Sequence, residues 1–114
     1  MAYNEEIAFR VRKLLQKRND ITEKKMFGGH SFLLSGNMCC GVLNDDLVLR
    51  VDPKRHKYIL EKPHTRPMDF TGKPLSGFVY VDTGGYTDNN ELMQWINISI
   101  DYVSSLPKKS SREE

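Results

Sequence analysis

Four short apolar segments lie between residues 21 and 51: ITEKKMF, HSFLL, MCCGVL and LVLRV. They are separated only by Gly28-Gly29, by Ser-Gly-Asn at 35–37 and by Asn-Asp-Asp at 44–46. A parallel pair of strands needs a crossover of about a dozen residues or more, so connections this short commit the segments to an antiparallel meander. Gly28-Gly29 is expected to break the first segment or mark a bulge. Gly36 and Asn37 are expected to take positive φ in a hairpin turn.

Helical patterns flank the meander. Asn4 can cap a helix whose first turn carries Glu5 and Glu6, where the helix dipole favours acids. Ile7, Val11, Leu14 and Leu15 recur at the spacing of one buried stripe, and Arg18-Asn19-Asp20 closes the helix. Asp52-Pro53 reads as a cap followed by the first residue of a second helix, running to Lys62 before Pro63, with Tyr58, Ile59 and His56 facing inward. FVYVD (78–82) reads as a strand and Gly84-Gly85 as a turn. Asp88, with Glu91 three residues on, opens a last helix. Its stripe of Leu92, Trp95, Ile96, Ser99, Tyr102, Val103 and Leu106 continues up to Pro107. The order α-β(3–4)-α-β(2)-α predicts a two-layer α+β domain over residues 1–107, an antiparallel sheet with helices on one face. Residues 108–114 form a polar tail expected to be flexible.

A chain of 114 residues suits one domain. Nothing in it approaches the roughly 18 consecutive apolar residues of a membrane span, and the opening MAYNEEIAFR lacks the apolar run of a secretory signal. A cytoplasmic location without membrane contact is the expectation. Cys39 and Cys40, the only cysteines, are adjacent. Neighbouring side chains on a strand point to opposite faces, so one cysteine is expected in the core and the other at the surface or in an interface.

The residues that could carry chemistry are sparse. His30, His56, His64 and the cysteine pair match no metal-ligand spacing, and no metal or other cofactor is expected. No GxSxG elbow or cysteine-nucleophile signature is present. TGKP (71–74) shares letters with a phosphate loop but places proline where Ser or Thr should open a helix. The charge is +2 overall, yet unevenly spread. From Arg10 to Lys25 there are seven bases (Arg10, Arg12, Lys13, Lys17, Arg18, Lys24, Lys25) against Asp20 and Glu23. Arg10, Lys13, Lys17, Lys24 and Lys25 therefore form a candidate surface for nucleic-acid phosphates or a protein partner, the alternative being an ordinary solvated face. Phe78 and Tyr80 share one side of a strand whose other side carries Val79 and Val81. Apolar residues on both sides fit a central strand or an edge covered by a second chain, which makes a homodimer an expected assembly.

RPMDFTGKP (66–74) poses the remaining question, because Arg66 and Asp69 lie three residues apart. Pro67 biases Arg66 towards an extended conformation, and on a strand positions i and i+3 face opposite sides. A converging acid–base pair is therefore disfavoured. Met68 and Phe70 are expected in the core, Asp69 on turn amides, and Gly72 as a source of backbone freedom.

EKKMFGG, GNMCCGV, LRVDP, RPMDFTGKPLSGFVYVD and the closing W…SLPKK together resemble the TfoX N-terminal domain family, in the right order over residues 3 to 108. Lys73 stands where arginine is common and Phe78 where tryptophan is common. The resemblance implies a small α+β domain with an antiparallel sheet, in a bacterial cytoplasmic protein. It marks Met26, Phe27, Gly28 and Gly29, with Arg66, Pro67, Met68, Asp69, Phe70 and Gly72, as motif residues read as structural. The family's namesakes regulate natural competence and carry a second, helical C-terminal domain; no counterpart of it is expected here, so a single-domain member is the expectation. The resemblance supplies no catalytic residue. The function expected is a non-enzymatic regulatory or interaction domain with a protein partner. The alternatives are a nucleic-acid-binding accessory protein, or a small-ligand binder or enzyme near Arg66 and Asp69.

Overall fold

In a computed structural model, which describes residues 3–26, 29–67 and 77–106, helix α1 (Glu5–Leu15) begins where the Asn4 side chain accepts hydrogen bonds from the amides of Glu6 and Ile7. Ile7, Ala8, Val11 and Leu15 form its buried stripe. Strands β1 (Ile21–Met26), β2 (Gly29–Leu34), β3 (Asn37–Leu43) and β4 (Asp46–Arg50) follow as a continuous antiparallel meander. A single 3-10 turn (Pro53–Arg55) leads into α2 (His56–Leu60), followed by β5 (Thr65–Pro67) and β6 (Phe78–Val81). A second 3-10 turn (Thr83–Gly85) precedes α3 (Asn89–Val103). The strands make one six-stranded antiparallel sheet in the order β1-β2-β3-β4-β6-β5. This is the α+β class and element order that the sequence implies.

The alternation of side chains along the strands separates two apolar clusters. Phe32, Leu34, Val42, Leu47, Leu49, Val79 and Val81 turn to one side, where they pack with the stripes of α1 and α3 and with Ile59 of α2. Met38, Val48 and Tyr80, flanked by Leu43 and Phe78, form a smaller cluster without helical residues on the other side. β6 lies between β4 and β5, so its two apolar sides belong to a central strand. Each fully buried aliphatic or aromatic side chain stabilises the fold by about 1.5–3 kcal/mol, so the larger cluster is the main source of cohesion.

Three local expectations are corrected. In the turn after β2 the positive φ values fall on Ser35 (52°) and Gly36 (87°), while Asn37 already pairs with Leu34. Two consecutive left-handed residues give the turn twist that a two-residue hairpin needs. The second helix ends at Leu60 rather than Lys62; the amides of Glu61 and Lys62 bond to the carbonyls of Tyr58 and Ile59 in tighter turns. Tyr58 does not face inward but is 56% exposed, while Ile59 is buried. Consecutive helical residues are about 100° apart, and a helix this short has room for one buried direction, which Ile59 takes.

The third correction concerns the cysteines. Both Cys39 and Cys40 are at 0% exposure and belong to the helix-side cluster. The ladder explains this: Phe32 pairs with Cys40 and Leu33 with Met38, which leaves Cys39 as an extra residue in β3. Such a bulge breaks strict alternation and re-aims a side chain, so both thiols reach the same core. A hydrogen bond with Cys39, together with burial, pushes the Cys40 thiol well above its ordinary range.

Two outcomes are expected. In the native protein both thiols resist labelling by an aromatic disulfide reagent and react fully in denaturant; a stoichiometric fast phase without denaturant would contradict the bulge geometry. Gly29→Ala, whose added Cβ would collide with the main-chain oxygen of Val42, is expected to lower stability by about 2 kcal/mol or more, read from urea denaturation.

Candidate functional site

The basic residues between Arg10 and Lys25 do not form one patch. The Arg10 guanidinium donates to Asn89 Oδ1 and to the Tyr86 carbonyl, both at 3.1 Å, and lies 5.6 Å from the Tyr86 ring centroid. It therefore ties α1 to the start of α3. Lys13 is exposed on α1, its Nζ 6.0 Å from the ring centroid of Phe9, which is itself 55% exposed. Lys17 is exposed beyond the helix end. Lys24 and Lys25 are exposed at adjacent positions of the edge strand β1 and so point to opposite sides of the sheet. Between them and the helix, Arg12 grips Glu23 through two hydrogen bonds of 2.8 and 2.9 Å, and His30 Nε2 meets the same carboxylate at 2.6 Å.

Arg66 sits on the outer strand β5, where it pairs with the Asp46 carboxylate and lies 4.6 Å from the ring centroid of Tyr80. Asp46 raises the pKa of Arg66 further above its already high ordinary value. Pro67 is the next residue of the same edge, Met26 ends β1, and Gly29 opens β2. Phe27, Gly28, Met68, Asp69, Phe70 and Gly72 lie outside the described residues, as does the 108–114 tail.

A groove between α2 and α3, which sequence reasoning did not single out, brings more chemistry together than either of these places. α3 carries two stripes. Leu92, Ile96, Ser99 and Val103 are buried against the sheet. Glu91, Trp95, Ile98, Tyr102 and Ser105, also at helical spacing, line the groove. Opposite them stand Asp52, Arg55, Tyr58 and Lys62 from the α2 region, over a floor formed by Ile59 and Ile98. This half of the groove encloses about 390 Å³. A second half of about 320 Å³ continues past Lys62 and Ile98, which border both, to Pro63, His64, Gly84, Gly85 and Trp95. The exposed Tyr58 ring has the Arg55 guanidinium at 5.5 Å and Lys62 Nζ at 5.7 Å from its centroid.

His64 anchors the second half. Its backbone holds a positive φ of 70°, an uncommon conformation for a residue with a Cβ. Its Nδ1 meets Asp82 Oδ1 at 2.9 Å, and the same oxygen accepts from the Gly84 amide at 3.0 Å. The glycines make room for the ring: a Cβ on Gly84 would lie 2.7 Å from His64 Cε1, and one on Gly85 3.0 Å from His64 Cβ. The Trp95 indole fixes the opposite wall by donating to the Gly85 carbonyl at 2.7 Å. Among the described residues no group of three or more His, Cys, Asp or Glu converges as metal ligands would, and no helix is long and apolar enough to cross a membrane.

Two signals pointed to this groove. Residues 53–66 hold five bases (Lys54, Arg55, Lys57, Lys62, Arg66) against the single acid Glu61, around an aromatic residue. The α3 pattern is also wider than one stripe, with Trp95 and Tyr102 beside the core positions rather than among them.

A family model of the TfoX N-terminal domain matches residues 13–103. The chain belongs to the TfoX N-terminal domain family. The matched span covers the whole sheet and both groove walls, α2 and α3, so the groove is part of this TfoX N-terminal domain rather than an appendage to it. Searches of curated proteins and of solved structures give no match.

Among the described residues, the one strongly shifted carboxylate lies outside the groove. Glu23 is held at about 2, against an ordinary 4.5, chiefly by its hydrogen bond with Arg12, against the opposing effect of burial and with further help from His30. A folded-state pKa below the unfolded one stabilises the protein above about pH 4.5, and this contribution is lost as pH falls towards 2. Glu23→Gln is therefore expected to cost about 1 kcal/mol at pH 7, the upper range for a partly exposed pair. The difference from wild type should shrink as unfolding is measured at successively lower pH between 4.5 and 2. A difference independent of pH would remove the ion pair as its cause.

Proposed function

We propose that this TfoX N-terminal domain is a non-enzymatic regulatory or interaction module of a bacterial cytoplasmic protein, acting by holding a protein partner. The α2–α3 groove carries the reading. It is long, partly apolar and open, and it combines an exposed aromatic ring with two cations. Such mixtures of aromatic, aliphatic and arginine side chains suit recognition surfaces. A catalytic site would instead bring a nucleophile to a base. The His64 imidazole is turned towards Asp82 in one half of the groove, while the Ser105 hydroxyl lies in the other, donating to the Tyr102 carbonyl at 2.6 Å. Both thiols lie in the core.

A second reading, nucleic-acid binding along α1 and β1, is favoured by the exposure of Lys13, Lys17, Lys24 and Lys25. Its signature is affinity that falls steeply with salt.

The two separate in one experiment. The full chain, immobilised and exposed to a bacterial extract, is expected to retain specific proteins at physiological salt, before and after nuclease treatment. Retention abolished by nuclease would favour the second reading. A self-association that accounts for all retained protein would replace an external partner by a homodimer.

A further inference from the structure

We propose that the α2–α3 groove binds an extended peptide segment that places one acidic side chain between Arg55 and Lys62 and an apolar side chain on either side of it. The proposal deepens the interaction reading above and rests on it.

The first argument is length. The groove follows α3 from Glu91 to Ser105, which at a helical rise of about 1.5 Å per residue spans about 20 Å. An extended chain advances about 3.3 Å per residue, so about six residues fill it. Lys62 and Ile98 border both halves and divide them. On one side an apolar side chain meets Ile59, Ile98 and Tyr102; on the other it meets Ile98, Pro63 and Trp95.

The second argument is charge. Arg55 and Lys62 both lie against the Tyr58 ring, and among the described residues neither is paired with a carboxylate. Two cations gathered at one exposed ring without a carboxylate partner attract an incoming anion together. Carboxylates lie beside them: Asp52 and Asp101 line the same half of the groove as Arg55, and Glu91 lines the other half. A polyanion laid along the groove would bring phosphates against carboxylates in both halves. A peptide with a single acid sets only one negative charge among them and presents main-chain N–H donors to Asp101. Cations interspersed with carboxylates along the groove favour a peptide over a nucleic acid.

The third argument is preorganisation. The far half is fixed on one wall by His64 on Asp82 and on the other by the Trp95 indole on the Gly85 carbonyl. Thr65 Oγ1 holds the Lys62 carbonyl at 2.7 Å. Groups already locked in place lose little freedom when a ligand arrives.

The test uses the full chain. Phage-displayed random dodecapeptides are panned on the wild-type protein, and the most enriched sequence is synthesised with a fluorescein label and titrated by anisotropy. Enriched sequences are expected to share an acidic residue flanked by apolar ones. Arg55→Glu and Lys62→Glu should each weaken the labelled peptide by tenfold or more, while Thr22→Glu, exposed on β1 at the opposite edge of the sheet from β5, should change affinity by less than twofold. Replacing the peptide's acid by lysine should abolish binding to wild type and restore part of it to Lys62→Glu, a rescue that a misfolded variant could not give. Enriched peptides lacking the acid, indifferent to both charge reversals, or absent altogether would overturn the proposal. So would displacement of the labelled peptide by oligo(dT) or oligo(U) with a steep salt dependence. A protein retained equally by wild type and Lys62→Glu in the extract experiment would remove the groove and leave the interaction reading standing.

Discussion

α3 lies across β3 and β4 with Leu92, Ile96, Ser99 and Val103 pressed onto the sheet, and the rest of the helix-covered side is arranged around that contact. These side chains meet Leu47, Leu49, Val42 and the two cysteines in one cluster. Because a helix turns about 100° per residue, burying this stripe fixes where Trp95, Ile98 and Tyr102 stand: at the boundary, half-covered, facing α2. α2 is placed by Ile59, its one buried residue, and by His56, whose Nε2 meets the Phe78 carbonyl at 3.1 Å. The groove is the space left between a long helix anchored along its whole length and a short one anchored at a single turn. Its walls therefore differ in stiffness, with the α3 side fixed by the core and the α2 side held by few groups.

A second set of polar ties holds the approach to α3. Tyr86 is 1% exposed, and its hydroxyl donates to the Asp45 carbonyl at 3.0 Å across the sheet end. Burial pushes its phenol well above the ordinary range, so it stays protonated and remains a donor. Arg10 binds the Tyr86 carbonyl from α1, and Asp88 then caps α3 by accepting from the Glu91 amide at 2.8 Å. Glu91 turns its own carboxylate onto the amide and hydroxyl of Thr87 rather than onto Asp88. Each of these bonds is worth about 1 kcal/mol. Together they set the angle at which α3 enters, which the hydrophobic stripe alone would leave loose. Arg10, attractive in the sequence as part of a basic surface, is used here as a strut.

Much of the architecture was legible because short-range rules determine it. Asn4 and Asp88 cap the helices that their positions announce, and the short connections between residues 21 and 51 force the antiparallel meander. What escaped is what depends on register. The positive φ values moved one residue, to Ser35 and Gly36, because pairing of Leu34 with Asn37 decides which residues are left for the turn. The cysteines lost their alternation to a bulge that no residue in MCCGVL advertises. The basic stretch looked continuous because spacing along the chain does not tell which cations the fold employs: Arg12 and Arg10 are engaged, and Lys24 and Lys25 diverge. The groove was half-visible as a cation-rich segment around Tyr58, yet its apolar wall comes from residues some forty positions later, and nothing local joins the two.

His64 shows why the groove is more than leftover space. A histidine held at positive φ carries a conformational cost of about 1 kcal/mol or more, and Gly84 and Gly85 are both needed to let its ring lie where it does. Three residues of a 114-residue chain are thus committed to placing one imidazole, half exposed, at the end of a groove. A purely structural imidazole would more economically be buried, as His30 largely is between Tyr3 and Phe32. Its Nδ1 is occupied by Asp82, so on the proposed reading the other ring nitrogen would be left for a bound chain. With Arg55, Lys62 and a fixed imidazole in chain order, the α2 side lines the groove with a succession of polar groups beside Ile59 and Ile98. On the proposed reading, a surface graded in this way would discriminate between extended chains by the order of their side chains, which is the property an interaction domain requires.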